Sequence, residues 1–135
     1  MTDTAEYNRR LIEEFRANRG APEGRPLLLL TTIGARSGLP RTTPMMYVRV
    51  DDRLLVIASN AGAEKHPDWY HNLVANPGVT VEIDDETYPA TAVVTEGAER
   101  DRLFAEIAER YRFFRDHQAK VTRRIPVVAL ERRPG

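Results

Sequence analysis

The feature that most constrains this chain is the spacing of its apolar runs between Leu27 and Ser59. Leu27–Ile33 is a buried-strand candidate. Residues 45–50 resume as a strand after a turn at 34–40, and residues 53–59 return after a tight turn at Asp51-Asp52. Runs this short, separated by turns this short, predict an antiparallel meander. Val79, Val81 and Ile83 alternate with polar residues, as a half-buried strand does. Asp84-Asp85-Glu86 then turns the chain into residues 87–95, and residues 125–130 supply a last strand. Helical periodicity lies between these runs. Residues 4–19 put Tyr7, Leu11, Ile12 and Phe15 on one face, with Arg9, Arg10, Glu13, Glu14 and Arg16 on the other. Pro67 suits the first turn of a second helix, whose apolar face is Trp69, Leu73 and Val74 and which stops at Asn76-Pro77-Gly78. Residues 97–111 form a third, with Leu103, Phe104, Ile107 and Tyr111 at helical spacing, and residues 112–122 extend or kink it. The pattern predicts an α+β domain of about six antiparallel strands with three helices. A barrel and an open sheet are not distinguished by pattern alone.

The expected organisation is an N-terminal amphipathic helix and loop over residues 1–25, the loop falling at 20–24, followed by a single strand-rich domain over 26–135. The helix is read as packing on the sheet; a lid over a ligand and a peripheral membrane contact are the alternatives. The chain's 135 residues and 41% hydrophobic share suit one domain with one core. No apolar run approaches the roughly 20 residues that span a bilayer. The first residues carry no basic or apolar leader, so a cytoplasmic location is the default expectation. Cysteine is absent, which removes disulfides, thiolate metal sites and a thiol nucleophile. His66, His71 and His117 do not match the spacing of a helical zinc site, and no metal is expected. Lys+Arg and Asp+Glu are both 20, so the basic excess of a nucleic-acid binder is missing.

Three segments could carry chemistry. The first is Gly34-Ala35-Arg36-Ser37-Gly38-Leu39-Pro40-Arg41-Thr42-Thr43-Pro44. Its glycines permit a sharp backbone with exposed N–H groups, its two arginines fork onto phosphate or carboxylate, and its hydroxyls add donors. It lacks the ending of a P-loop and the helix of a dinucleotide-binding turn. A solvated hairpin turn with two surface arginines weighs equally against an anion cradle on spacing alone. The second segment, Ala58-Ser59-Asn60-Ala61-Gly62, ends an apolar strand with small residues that let backbone approach a flat ligand; an ordinary strand exit reads the same way. In the third, His66-Pro67-Asp68-Trp69-Tyr70-His71-Asn72-Leu73, a helix directs its free N–H groups and positive dipole end toward residues 60–66, with Lys65 beside them. On the residues alone Trp69 reads first as a core anchor, and His71 and Asn72 as structural hydrogen-bonders before catalysts. With no thiol, no metal signature and no nucleophile elbow, difficult chemistry here needs a borrowed cofactor.

These segments, in this order, resemble the deazaflavin-dependent nitroreductase family, whose members are also described as F-420-dependent quinone reductases. The resemblance runs from Leu30-Thr31-Thr32-Ile33-Gly34-Ala35-Arg36-Ser37-Gly38 and Arg41-Thr42-Thr43-Pro44-Met45 through Ala58-Ser59-Asn60-Ala61-Gly62. It continues in Pro67-Asp68-Trp69-Tyr70-His71-Asn72-Leu73-Val74-Ala75-Asn76-Pro77 and closes on Arg124-Ile125-Pro126-Val127-Val128. It implies a split β-barrel similar to that of FMN-binding flavin reductases, a reduced coenzyme F-420 as hydride donor, and a small-molecule acceptor such as a quinone, enone or nitro compound. The cofactor's anionic tail would meet Ala35, Arg36, Ser37, Gly38, Arg41, Thr42, Thr43 and Pro44. Its ring would lie against Met45, Met46, Ala58, Ser59 and Asn60, with further contacts from Lys65, Asp68, Trp69, Tyr70, His71, Asn72 and Phe114. Tyr111, His117 and Ser59 are the catalytic candidates. Nitro-reducing relatives carry a Tyr-x-x-Tyr-x-x-Tyr pattern on the acceptor side. Here it reads Tyr111, Phe114 and His117, which favours quinones over nitroimidazoles. A non-catalytic F-420 carrier and an FMN- or haem-binding split barrel are the rival readings, and the chain is expected as a monomer or homodimer.

Overall fold

The computed structural model describes residues 2–21 and 25–134. Six strands form a closed antiparallel barrel in the order β1-β2-β3-β6-β5-β4, where β1 is Leu27–Ile33, β2 Pro40–Val50, β3 Arg53–Ile57, β4 Gly78–Ile83, β5 Glu86–Val94 and β6 Val127–Arg132. Four helices accompany it: α1 Thr2–Asn18, α2 Asp68–Ala75, α3 Gly97–Arg110 and α4 Arg112–Lys120. The meander and the barrel expected from the resemblance are both present. The expected loop at 20–24 falls partly on residues 22–24, which lie outside the described residues.

Alternation sorts the side chains into layers. Leu28 and Leu30 point into the barrel with Leu54, Val56, Val81 and Val128. Leu27 and Leu29 point outward and take Leu11 and Phe15 of α1. On another outer face Val48, Leu55, Val127 and Ala129 take Leu103, Ile107 and Phe114. Burying a side chain such as Phe15, at 2% exposure, contributes about 2 kcal/mol, so α1 is fastened to the barrel wall by its apolar stripe. None of the described helices is long and apolar enough to cross a membrane.

Two expectations are corrected. The third helix is two helices, because Tyr111 adopts an extended backbone (φ −134°, ψ 94°) that ends α3 and precedes α4. The bend directs Phe114 and Val121 into the same cluster as Ile107. Residues 40–44 are not part of the turn but the first half of β2. They pair with β1 alone, Pro40 opposite Ile33 and Pro44 opposite Leu29, while pairing with β3 begins at Tyr47. Prolines are tolerated there because this half of β2 has a strand on one side only.

Candidate functional site

The β1–β2 turn is built by its own residues. Gly34 donates to the Leu39 carbonyl at 2.8 Å, Gly38 donates to the Gly34 carbonyl at 2.9 Å, and the Leu39 N–H donates to Ser37 Oγ at 3.2 Å. Gly38 sits at φ +70°, the left-handed region that glycine occupies without strain. A β-carbon on Gly34 would stand 2.3 Å from Ser37 Oγ, so the turn closes over that glycine. Asn72, 9% exposed on α2, anchors the turn from outside. Its Oδ1 accepts the Ala35 N–H at 2.9 Å, and its Nδ2 donates to Oγ1 of the fully buried Thr32 at 3.1 Å. Among the described residues the N–H groups of Arg36 and Ser37 keep no partner, and neither the Arg36 nor the Arg41 guanidinium has a carboxylate within ion-pair distance.

A groove of about 1190 Å³ runs along this turn. It is lined by Gly34, Ala35, Arg36 and Ser37 from the turn, Arg41, Thr42 and Thr43 from β2, Asp68, Trp69, His71 and Asn72 from α2, and Ala5, Asn8, Arg9 and Ile12 from α1. Ten residues expected to bind the cofactor therefore surround one cavity: Ala35, Arg36, Ser37, Arg41, Thr42, Thr43, Asp68, Trp69, His71 and Asn72. Its volume exceeds the usual 300–1,000 Å³ of a compact ligand site, which suits an elongated one. Three arginines, free N–H groups and the N-terminus of α2 make it attractive to anions; among the described residues Asp68 is the one acid in its lining. Asn8 and Arg9 were not singled out from the sequence, where Arg9 belongs to the solvent face of an amphipathic helix.

The remaining candidates lie elsewhere. Met45 packs on the barrel-interior cluster and Met46 on the α3–α4 cluster, so the two present opposite faces of β2 rather than one surface. Ala58 and Ser59 are buried at the end of β3, at 0% and 7% exposure. After them Asn60, Ala61 and Gly62 take φ values of 50°, 53° and 83°, three left-handed residues in succession. The Asn60 side chain donates to the Lys65 carbonyl at 3.0 Å, closing the loop. Left-handed backbone strains Ala61, so Ala61→Gly is expected to stabilise the protein by about 0.5–1 kcal/mol, read as a higher urea midpoint.

On α4, Phe114 is a core residue at 4% exposure, whereas Phe113 is 43% exposed. Their rings lie 4.4 Å apart, and His117 is 5.8 Å from Phe113. Tyr111 stands before α4 and does not share a helical face with Phe114 and His117, so the expected three-residue ladder is not a single stripe. The His117 Nδ1 is buried without a hydrogen-bond partner among the described residues. The loop meets this helix directly: a β-carbon on Gly62 would lie 3.5 Å from His117 Cα.

Two polar residues join these parts: His66, which opens the third candidate segment but was given no role there, and Arg123, which was not named among the candidates. His66 packs its ring 4.6 Å from Tyr70 and 5.6 Å from His71, which lines the groove. Arg123 contacts His66 and the carbonyls of the loop at 58–63. Burial lowers the His66 pKa from its ordinary value, with Arg123 and then His71 adding to the effect. Burial raises that of Tyr70. Among the described residues no cluster of His, Asp or Glu could hold a metal ion.

The architecture is that of a closed six-stranded barrel with an arginine-lined groove outside its first turn. The sequence model of the F420H(2)-dependent quinone reductase family matches residues 7–132, and the chain belongs to that family. An F420H(2)-dependent quinone reductase of Mycobacterium tuberculosis is 39% identical over 117 residues, covering 84% of this chain and 76% of the relative. A solved F420-H2 dependent reductase is 41% identical, with a TM-score of 0.71 over 79% of this chain and 95% of the other. A solved structure described as a domain-swapped dimer is 38% identical, with a TM-score of 0.73 over 90% of this chain and 96% of the other.

Proposed function

We propose that this protein is a reductase that uses reduced coenzyme F-420 to reduce a quinone-class small molecule. The observation that carries the reading is the arginine-lined groove, found in a chain that belongs to this family from residue 7 to 132. The donor set fits the cofactor: Arg36 and Arg41, with the hydroxyls of Ser37, Thr42 and Thr43, suit a flexible tail that carries several anionic groups. Ala35, Gly38 and Pro44 shape the turn and strand beneath it. We assign the cofactor's ring to the neighbourhood of Met45, Ala58, Ser59 and Asn60, next to where the pairing of β2 with β3 ends at Tyr47 and Val56, with Lys65 and Tyr70 as further contacts.

When bound, reduced F-420 supplies a hydride, two electrons in one step. Every other requirement falls on the protein. The groove holds the tail and so fixes the ring's position, which supplies the proximity contribution to the rate. Buried Ala58 and Ser59 keep water from that side. Tyr111 and His117 carry protons on the α4 side, and one of them completes the reduction of a quinone carbonyl to a hydroxyl.

Fluorescence titration and turnover test the reading. F-420 is expected to bind more tightly than FMN, and menadione to be reduced with a higher kcat/KM than a nitroimidazole. Equal affinity for FMN and F-420 would move the protein to the flavin- or haem-binding class. F-420 binding without turnover on a panel of quinones and enones would make it a carrier.

A further inference from the structure

The connection between α4 and β6 carries a cation that forms no ion pair with a carboxylate among the described residues. Arg123 donates from Nε to the Ala63 carbonyl at 3.0 Å, from Nη2 to the Ser59 carbonyl at 2.9 Å, and from Nη1 to the Ala58 carbonyl at 3.1 Å. Nη1 also lies 3.0 Å from His66 Nδ1. Its own main chain is anchored: Gln118 Nε2 donates to the Arg123 carbonyl at 2.8 Å, while Gln118 Oε1 accepts from the buried Arg100 and from the Ile125 N–H, each at 2.9 Å. Next to it, the Thr122 N–H and hydroxyl donate to the Glu64 carboxylate at 3.2 and 3.3 Å. The side-chain bonds of Arg123 and the bonds of Thr122 converge on one loop, the one that contains the left-handed turn Asn60–Gly62 and backs onto His117. A loop that only had to reverse the chain would not need a guanidinium bonded to three of its carbonyls.

The tautomer of His66 follows from the same contact. Arginine is protonated and has no acceptor, so Nδ1 must accept and the ring proton sits on Nε2.

We propose that Arg123 is a positioning residue of this site: it holds the turn at Asn60–Gly62 in register with α4 and locks His66 as its Nε2–H tautomer. The inference rests on the reading of the chain as an F-420-dependent reductase. Arg123 acts through the loop, keeping the backbone at Ala58 and Ser59, beside the cofactor, at a constant distance from Tyr111 and His117, beside the acceptor. The groups facing His66 are Arg123, His71 and Tyr70, with Glu64 and Lys65 next to it in the chain. A proton on Nδ1 would break the bond to Arg123 and set two cations against each other. Because the folded pKa is depressed, the unfolded chain takes up this proton first. The stability contributed by neutral His66 is therefore present above about pH 6.5 and lost as the pH falls through the folded value.

The test uses the full chain. In the protein without cofactor, ring-nitrogen NMR of ¹⁵N-histidine should show His66 with a bare Nδ1 and a protonated Nε2, and Arg123→Gln should mix the tautomers. With reduced F-420 and menadione, Arg123→Gln should lower kcat about 10²-fold, the scale of a small misplacement of reacting groups. The F-420 dissociation constant should stay within about threefold, because the arginine groove is untouched. Added methylguanidinium should restore part of the activity of Arg123→Ala. His66→Asn keeps an acceptor facing Arg123 but cannot titrate, and should flatten the loss of kcat that sets in as the pH falls through the depressed value of folded His66. An unchanged kcat in Arg123→Gln, no recovery with methylguanidinium, or a protonated Nδ1 in the wild type would overturn the proposal. If the Arg123 variants do not fold, the wild-type ring-nitrogen spectrum and the His66→Asn profile decide it. Absence of wild-type turnover would instead refute the functional reading, and the ring-nitrogen spectrum would still test the lock.

Discussion

Replacing Arg36 and Arg41 together by alanine is expected to weaken F-420 binding by about 2–4 kcal/mol, roughly 30- to 700-fold, the sum of two charge-assisted contacts discounted for exposure. Both side chains are exposed, line the same groove and have no carboxylate competing for them within ion-pair distance among the described residues. Their charge is therefore available to a ligand rather than committed to the fold. Three consequences separate this from a general loss of structure. The thermal midpoint should be unchanged, because exposed arginines without partners contribute little to stability. The wild-type affinity should fall with added salt, since an exposed cradle is screened, and the double variant should lose most of that dependence. Affinity for a tail-less deazaflavin should be nearly the same in both proteins. The measurement is fluorescence titration at two ionic strengths; a double variant that binds F-420 like the wild type removes the groove from the account.

Asn72→Ala should have the opposite character, a loss of stability first and of binding second. The amide side chain makes two bonds that no neighbour can replace, one to the Ala35 N–H and one to the Thr32 hydroxyl, which is fully buried. Removing it leaves a backbone donor and a buried hydroxyl without partners, at a cost of about 2–4 kcal/mol, or a thermal midpoint lower by roughly 6–12 °C. The freed β1–β2 turn then carries Arg36 and Ser37 in a less defined position, so F-420 affinity falls although no arginine has changed. Asn72→Asp keeps an oxygen for the Ala35 N–H and lets the Thr32 hydroxyl reverse its role as donor, so its midpoint should lie between wild type and Asn72→Ala. Equal midpoints for wild type and Asn72→Ala in a thermal scan would show that the turn stands without the bridge.

The elements that could be read from the sequence are those whose pattern is local. β1 and β4 follow from apolar runs and strict alternation, and α1 from its stripe. The start of β2 could not be read because Pro40 and Pro44 ordinarily punctuate a strand, and only the barrel's topology shows that their stretch pairs on one side. The break at Tyr111 carries no glycine or proline to signal it; it arises because Phe114 and Val121 must reach the same cluster as Ile107. The site divides the same way. The turn from Gly34 to Arg41 could be read because its chemistry is contiguous. Arg123 could not, because its partners are carbonyls and a ring nitrogen 57 to 65 positions earlier in the chain. Backbone oxygens leave no trace in residue identity. Phe114 was assigned by spacing to the ligand, but a helix that begins one residue after Tyr111 turns it into the core and leaves Phe113 outside.

The double duty of α1 has a consequence for how the protein behaves between encounters with its cofactor. One stripe of the helix, Leu11 and Phe15, is packed on the barrel, while Asn8, Arg9 and Ile12 form a wall of the groove. Any ligand that touches that wall is bound by the docked helix and not by the undocked one, so occupancy and docking are thermodynamically linked. Filling the groove should therefore slow cleavage of the N-terminal helix, read as a longer lifetime of the intact chain in limited proteolysis with F-420 than without it.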